Sequence, residues 1–142
     1  MSNKSVATWG TFDGELHPGH IHFLETCKQY GKVVVFLLDD DGIYRQKSRN
    51  PIFPQSARKR NLLNTGLVDA VMEGGPDQIE NIKTTLEFAP DVYCFGGDQT
   101  SSWNRELEAL LDKQGTKIVH IPRYKSDLYS TTAIYFGDQK DR

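Results

Sequence analysis

Five apolar runs rich in β-branched residues recur along this chain, at Val6–Thr11, Val33–Leu38, Ala70–Glu73, Val92–Phe95 and Lys117–Ile121. They are near-continuous rather than alternating, the pattern of parallel strands buried on both faces. Amphipathic stretches lie between them, at His20–Tyr30, Gln55–Thr65, Gln78–Phe88 and Trp103–Gln114. Gly31, Gly66 and Gly115 follow three of these stretches and Pro90 closes the other, so each has a helix stop; Pro76 sits near the start of the third. Strands and helices in alternation imply βαβ units. The expected architecture is α/β: a doubly wound open parallel sheet of about five strands with helices on both faces. The 142 residues suffice for one domain, 1–142, with a sizeable core.

In such sheets ligands bind beyond the carboxyl ends of the strands. Thr11–His20 follows the first strand. Asp39-Asp40-Asp41 follows the second and leads, as an expected loop, into Arg45-Gln46-Lys47-Ser48-Arg49. Gly96-Gly97-Asp98-Gln99 follows the fourth, and Pro122-Arg123-Tyr124-Lys125 the fifth, before Ser130-Thr131-Thr132 opens a short last helix. His17 and His20 stand at a strand-to-helix turn, so both imidazoles fall on one side of the first helical turn. Free amides and the positive end of the helix dipole collect there. Gly10, Gly14 and Gly19 let a ligand approach the backbone. With Arg45, Lys47, Arg49, Arg123 and Lys125 on the same rim, the inventory suits a polyphosphate. The chain contains no P-loop, no dinucleotide-binding glycine fingerprint after the first strand and no nucleophile elbow.

A formal net charge of −2 gives no reason to expect a nucleic-acid or anionic-membrane partner. No apolar run approaches the ~20 residues of a membrane span, and Met1-Ser2-Asn3-Lys4 lacks a signal-peptide core. Cys27 and Cys94 read as reduced, buried residues of a cytoplasmic protein, and no cysteine–histidine spacing suggests zinc. Plainer readings stand beside the functional ones. His17 and His20 could simply cap a helix, and Ser130-Thr131-Thr132 could be an ordinary N-cap. Asp39–Asp41 reads as a solvated turn rather than a metal site, His22 as surface or core, and His120 as a core histidine. Trp103 either stacks on a base or packs its helix.

Gly10-Thr11-Phe12-Asp13 with His17-Pro18-Gly19-His20 resembles the signature of the nucleotidyltransferase superfamily with the His-x-Gly-His motif, whose fold is Rossmann-like. The chain looks most like the cytidylyltransferases, such as those acting on glycerol 3-phosphate, and also resembles heptose-phosphate adenylyltransferase domains. Lys47 falls at the family's phosphate-binding lysine and Arg58 at an arginine opening its second helix. Leu67-Val68-Asp69-Ala70-Val71, Pro90-Asp91-Val92 with Gly96-Gly97-Asp98, and Arg123 with Ser130-Thr131-Thr132-Ala133-Ile134 match further family segments in order.

The resemblance implies transfer of a nucleoside monophosphate to a small phosphorylated acceptor, with release of pyrophosphate. It implies His17, His20, Lys47 and Arg123 as catalytic residues. Gly10, Thr11, Phe12, Gly19, Gly97, Asp98, Ser130 and Thr131 would bind the nucleotide, and Asp13 and Arg58 the substrate. It implies Mg²⁺ as cofactor with no dedicated protein metal site, and a homodimer. CTP and a polyol or sugar phosphate are the expected substrates. An ATP-using adenylyltransferase with a heptose-phosphate-like acceptor is the alternative, and a nucleotide-binding module impaired in turnover is a further one. Three residues, Gly14-Glu15-Leu16, separate Asp13 from His17 where the family usually has two. The extra residue either bulges at Gly14 or shifts Asp13 relative to the histidines. Gly66 replaces an arginine common in close relatives, and the segment from Arg123 to Ser130 is long.

Overall fold

The computed structural model describes residues 3–124. Lys125, Ser130, Thr131 and Thr132 lie outside the described residues. In chain order the elements are β1 (Ser5–Gly10), α1 (Pro18–Lys28), β2 (Lys32–Leu37), α2 (Asp40–Lys47), α3 (Gln55–Asn64), β3 (Ala70–Glu73), α4 (Gln78–Phe88), β4 (Val92–Gly96), α5 (Ser102–Lys113) and β5 (Lys117–Ile121). All strand pairs are parallel and the sheet order is β3-β2-β1-β4-β5. The doubly wound α/β sheet is therefore as expected.

Strand side chains alternate between two cores. Val6, Val33, Val35, Leu37, Val92 and Cys94 pack with Leu24 and Cys27 of α1 and Leu62 of α3. Ala7, Trp9, Phe36, Tyr93 and Phe95 pack on the other face with Ile82 of α4 and Leu107 and Leu111 of α5. No helix among the described residues is long and apolar enough to cross a membrane.

The order of strands reverses between β1 and β4, where a doubly wound sheet opens a crevice. The β1–β2 ladder runs from Ser5 to Gly10, whereas β1 and β4 pair only at Val6–Val92 and Ala7–Tyr93. Beyond that point side chains replace the ladder. Trp9 N–H donates to the Tyr93 hydroxyl at 3.0 Å, and Gln99 Nε2 donates to Trp9 O at 2.8 Å. Gln99 Oε1 accepts from Gly96 N at 2.8 Å, so one amide spans the gap between the two strand ends.

Three expectations are corrected. The segment after β2 is a helix, not a loop. Asp39 caps it by accepting from Gly42 N at 2.7 Å, Asp40 and Asp41 stand in its first turn, and Arg45 and Lys47 in its last. The Asp39–Asp41 run is therefore a helix start favoured by the dipole rather than a solvated turn. His120 lies on the edge strand β5 rather than in the core; its side chain is 61% exposed and meets Glu108 at 3.1 Å.

Asp13 and Arg58, expected at the substrate, are committed to the protein itself. Asp13 is 1% exposed; its carboxylate accepts from Gly14, Ile52 and Phe53 amides and pairs with Arg49 at 2.8 Å. Burial alone would raise this carboxyl, but the bonds from Arg49, Phe53 and Ile52 outweigh burial and hold it below the usual range. Gly14 takes φ +73°, open to glycine at little cost, beside the anchored Asp13. Arg58 is fully buried and donates to Thr11 O, Leu38 O and Phe53 O and to Asp40 Oδ1. It thereby ties the rim loops of β1 and β2 to the entry of α3. Lysine lacks the planar fork that serves all four acceptors. We expect Arg58→Lys to lose about 3 kcal/mol or more in urea unfolding, since each buried group left unpaired costs ~1–3 kcal/mol. A loss under about 1 kcal/mol would contradict this tying role.

Candidate active site

The rim holds one large cleft of about 820 Å³. It is lined from the β1 loop by Gly10, Thr11, Phe12, His17, Gly19 and His20, from α2 by Arg45 and Lys47, and from the later rim by Gly97, Asp98 and Arg123. The structure thus gathers every described residue expected to be catalytic or nucleotide-binding around a single space. Asp13 and Arg58 stand behind its wall.

His17 and His20 close the first turn of α1 reciprocally. His17 Nδ1 accepts from Gly19 N at 3.0 Å and His20 N at 3.3 Å, while His20 Nδ1 accepts from His17 N at 3.3 Å. Each imidazole acts as the side chain of a capping box, a place usually taken by Ser or Thr and Glu or Gln. The rings stack with centroids 3.7 Å apart, and Phe12 lies 5.3 Å from the His20 ring. An Nδ1 that accepts leaves the proton of a neutral ring on Nε2. The plain capping reading and the functional one are therefore compatible: capping uses one nitrogen and frees the other as a donor.

Two close approaches fix the backbone around this turn. A Cβ on Gly10 would stand 2.4 Å from the Phe12 ring, and one on Gly97 would stand 2.9 Å from Arg123 Cγ. Glycine at position 97 lets the β4 loop pass directly under Arg123.

A family model described as cytidylyltransferase-like matches residues 7–135. The chain belongs to the cytidylyltransferase-like family. It is 37% identical to a protein named FAD synthase from Thermococcus kodakarensis over 133 residues, 91% of this chain and 87% of that one. It is 32% identical to a FAD synthase of Thermoplasma volcanium over 91% of this chain and 89% of the relative. The crystal structure of a lipopolysaccharide core biosynthesis protein from Thermoplasma volcanium superposes with a TM-score of 0.72 at 33% identity, covering 86% of this chain and 98% of the other. The molecule is a nucleotidyltransferase, as the resemblance of its motifs implied.

The electrostatics of this nucleotidyltransferase's cleft favour the uncharged form of both histidines. Burial, then His17 and Lys47, push His20 down to about 3. Burial and the nearby Arg123 also lower His17. The helix N-terminus acts in the same direction, since it repels a cation. Lys47 is lowered by burial and by Arg49 and Arg123, with Asp98 and Asp13 opposing. Arg49 is paired with Asp13 and does not line the cleft, whereas Lys47 and Arg45 do. Among the described residues no cluster of three His, Cys, Asp or Glu side chains could hold a metal.

The structure adds residues that reading the sequence did not assign. Pro76, Asp77, Gln78 and Ile79, after β3, line the cleft together with Trp9, Asn81 and Asn104, beside Trp103 and Tyr124. The β3 loop was the one strand exit left off the expected rim, and the rule that ligands gather at carboxyl ends would have included it. Trp103 packs edge-on against Trp9 at 5.8 Å and also lines the cleft, so it has both of its expected roles open to it.

The two nitrogens of His17 are separable by substitution. Asparagine supplies an acceptor near the Nδ1 position and is a strong N-cap, but has no group at Nε2. We expect His17→Asn to unfold within about 0.5 kcal/mol of the wild type while losing ~10²–10³ in kcat. His17→Ala should lose activity similarly and about 1 kcal/mol of stability besides. His17→Asn with turnover within twofold of wild type would show that Nε2 is not used.

Proposed function

We propose that this nucleotidyltransferase joins AMP from ATP to FMN, giving FAD and pyrophosphate. The observation that carries the reading is the likeness to proteins named FAD synthase over nine-tenths of the chain. The cleft fits it: its lining brings the candidate phosphate-binding groups His17, His20, Lys47 and Arg123 together with Trp103 and Ile79 as apolar surface for a flat ring, while Trp9 is buried against Trp103.

In the proposed reaction an oxygen of the FMN phosphate attacks the α-phosphorus of ATP. The bond from that phosphorus to the bridging oxygen breaks, and its electron pair leaves on pyrophosphate. The nucleophile is already an anion, so the protein's work is positioning and charge stabilisation. The Nε2–H groups of His17 and His20 would donate to phosphate oxygens as charge builds. Their neutrality fits donation without uptake of a proton. Lys47 would neutralise a nonbridging oxygen or hold the acceptor phosphate, and Arg123 would grip the departing phosphates. Mg²⁺, expected to arrive on the triphosphate, would supply charge neutralisation there, with Asp98 as an oxygen donor on the cleft wall. The homodimer, the cytoplasmic setting and the nucleotide contacts of Ser130 and Thr131 belong to the same reading.

Pyrophosphate release measured with paired substrates tests it. We expect release with ATP and FMN and at least ~100-fold less with CTP and glycerol 3-phosphate, the discrimination of a site built to hydrogen-bond its own ring. Release with CTP and a polyol or sugar phosphate but not with ATP and FMN would overturn the proposal.

A further inference from the structure

At the tryptophan-lined end of the cleft two asparagines stand in contrasting states. Asn81 is satisfied: its Nδ2 donates to Gly75 O at 2.8 Å and its Oδ1 accepts from Gly75 N at 3.1 Å. Asn104, 6% exposed, uses its Nδ2 on Ser101 Oγ at 2.9 Å. Its Oδ1 is the buried side-chain acceptor without a partner among the described residues. An unpaired buried carbonyl costs ~1–3 kcal/mol, and a donor on a ligand in the adjoining cleft would supply the missing bond.

The surroundings define what that ligand must present. Asn104 follows Trp103, whose Nε1 donates to Gln78 O at 3.3 Å and whose ring meets Trp9 edge-on. Ile79, also on the cleft wall, is 67% exposed although large and apolar. These are walls for a flat aromatic body. Oδ1 itself is closed to solvent, so a ring reaches it only by displacing part of this wall. The N-termini of α4, capped by Asp77, and of α5, capped by Ser101, both border the same end. The positive end of α5, whose cap is uncharged, favours a ring edge carrying electron-rich carbonyls, whereas the Asp77 carboxylate offsets that of α4. A flavin imide is such an edge: one N–H donor at N3 between two carbonyl acceptors. The amino edge of adenine presents hydrogens without flanking carbonyls and suits that helix end less well.

We propose that Asn104 is a specificity-determining residue whose Oδ1 accepts the N3–H hydrogen bond of the isoalloxazine ring. The proposal rests on FMN as the acceptor substrate. It is tested with FMN and 3-methyl-FMN, which lacks that hydrogen, by quenching of flavin fluorescence, a binding readout independent of turnover. The wild type should bind FMN roughly 10- to 100-fold tighter than the methyl analogue. Asn104→Asp, which keeps an acceptor, should retain most of that ratio. Asn104→Ala should bring the two affinities within about threefold. The same variants, tested with ATP and with purine riboside triphosphate, which lacks the amino group, should leave that ratio unchanged. An FMN to methyl-FMN ratio unaltered in Asn104→Ala overturns the inference, as does a shift in the purine ratio instead. A wild type that neither binds FMN nor releases pyrophosphate with it overturns the substrate reading itself. FMN turnover with an unaltered ratio overturns only the role of Asn104.

Discussion

A helix begins with amides that no preceding turn can satisfy, and the way α1 satisfies them governs the rest of the rim. His17 and His20 take those amides onto Nδ1. The same bonds orient both rings, place both protons on Nε2 and stack the rings face to face. Burial, the helix end and the cations Arg123 and Lys47 then keep the rings neutral. An imidazolium here would repel the neighbouring cations that an incoming triphosphate needs. Two neutral donors add hydrogen bonds to the site without adding to that repulsion, which grows steeply where solvent is scarce.

The donors are useful only if the loops around them stay put. Arg58 binds three carbonyls from three rim segments together with Asp40, and Asp13 binds Arg49 and three amides. Gln99 bridges β1 and β4 where their ladder stops, holding the crevice at a fixed width. Asp13, Arg49 and Arg58 do not line the cleft, and Gln99 is on its wall. They convert loops, which are the mobile part of an open α/β sheet, into a rigid mount for those donors.

The sheet was legible because its strands are buried on both faces and therefore continuously apolar, as Val33–Leu38 illustrates. The gathering of His17, His20 and Gly97 at one cleft was legible because each follows a strand exit. What escaped depends on pairings made in space. α2 buries only Gly42 and Ile43, so it carries no apolar period, although its acidic start and basic end spelled a helix in charge. Asp13 and Arg58 sit in motif positions, and nothing in the linear pattern separates a charge turned toward ligand from one turned toward carbonyls. The unpaired oxygen of Asn104 is a property of its neighbours and has no trace in the sequence.

The account turns on which nitrogen of each histidine carries the proton and on both rings being neutral. Long-range proton–nitrogen correlation spectra of the ligand-free protein read this directly for labelled imidazoles. The account predicts His17 and His20 as neutral Nε2–H tautomers at pH 7 to 8, with unprotonated Nδ1 in both. A protonated Nδ1 on either ring, or an imidazolium near neutral pH, would contradict it.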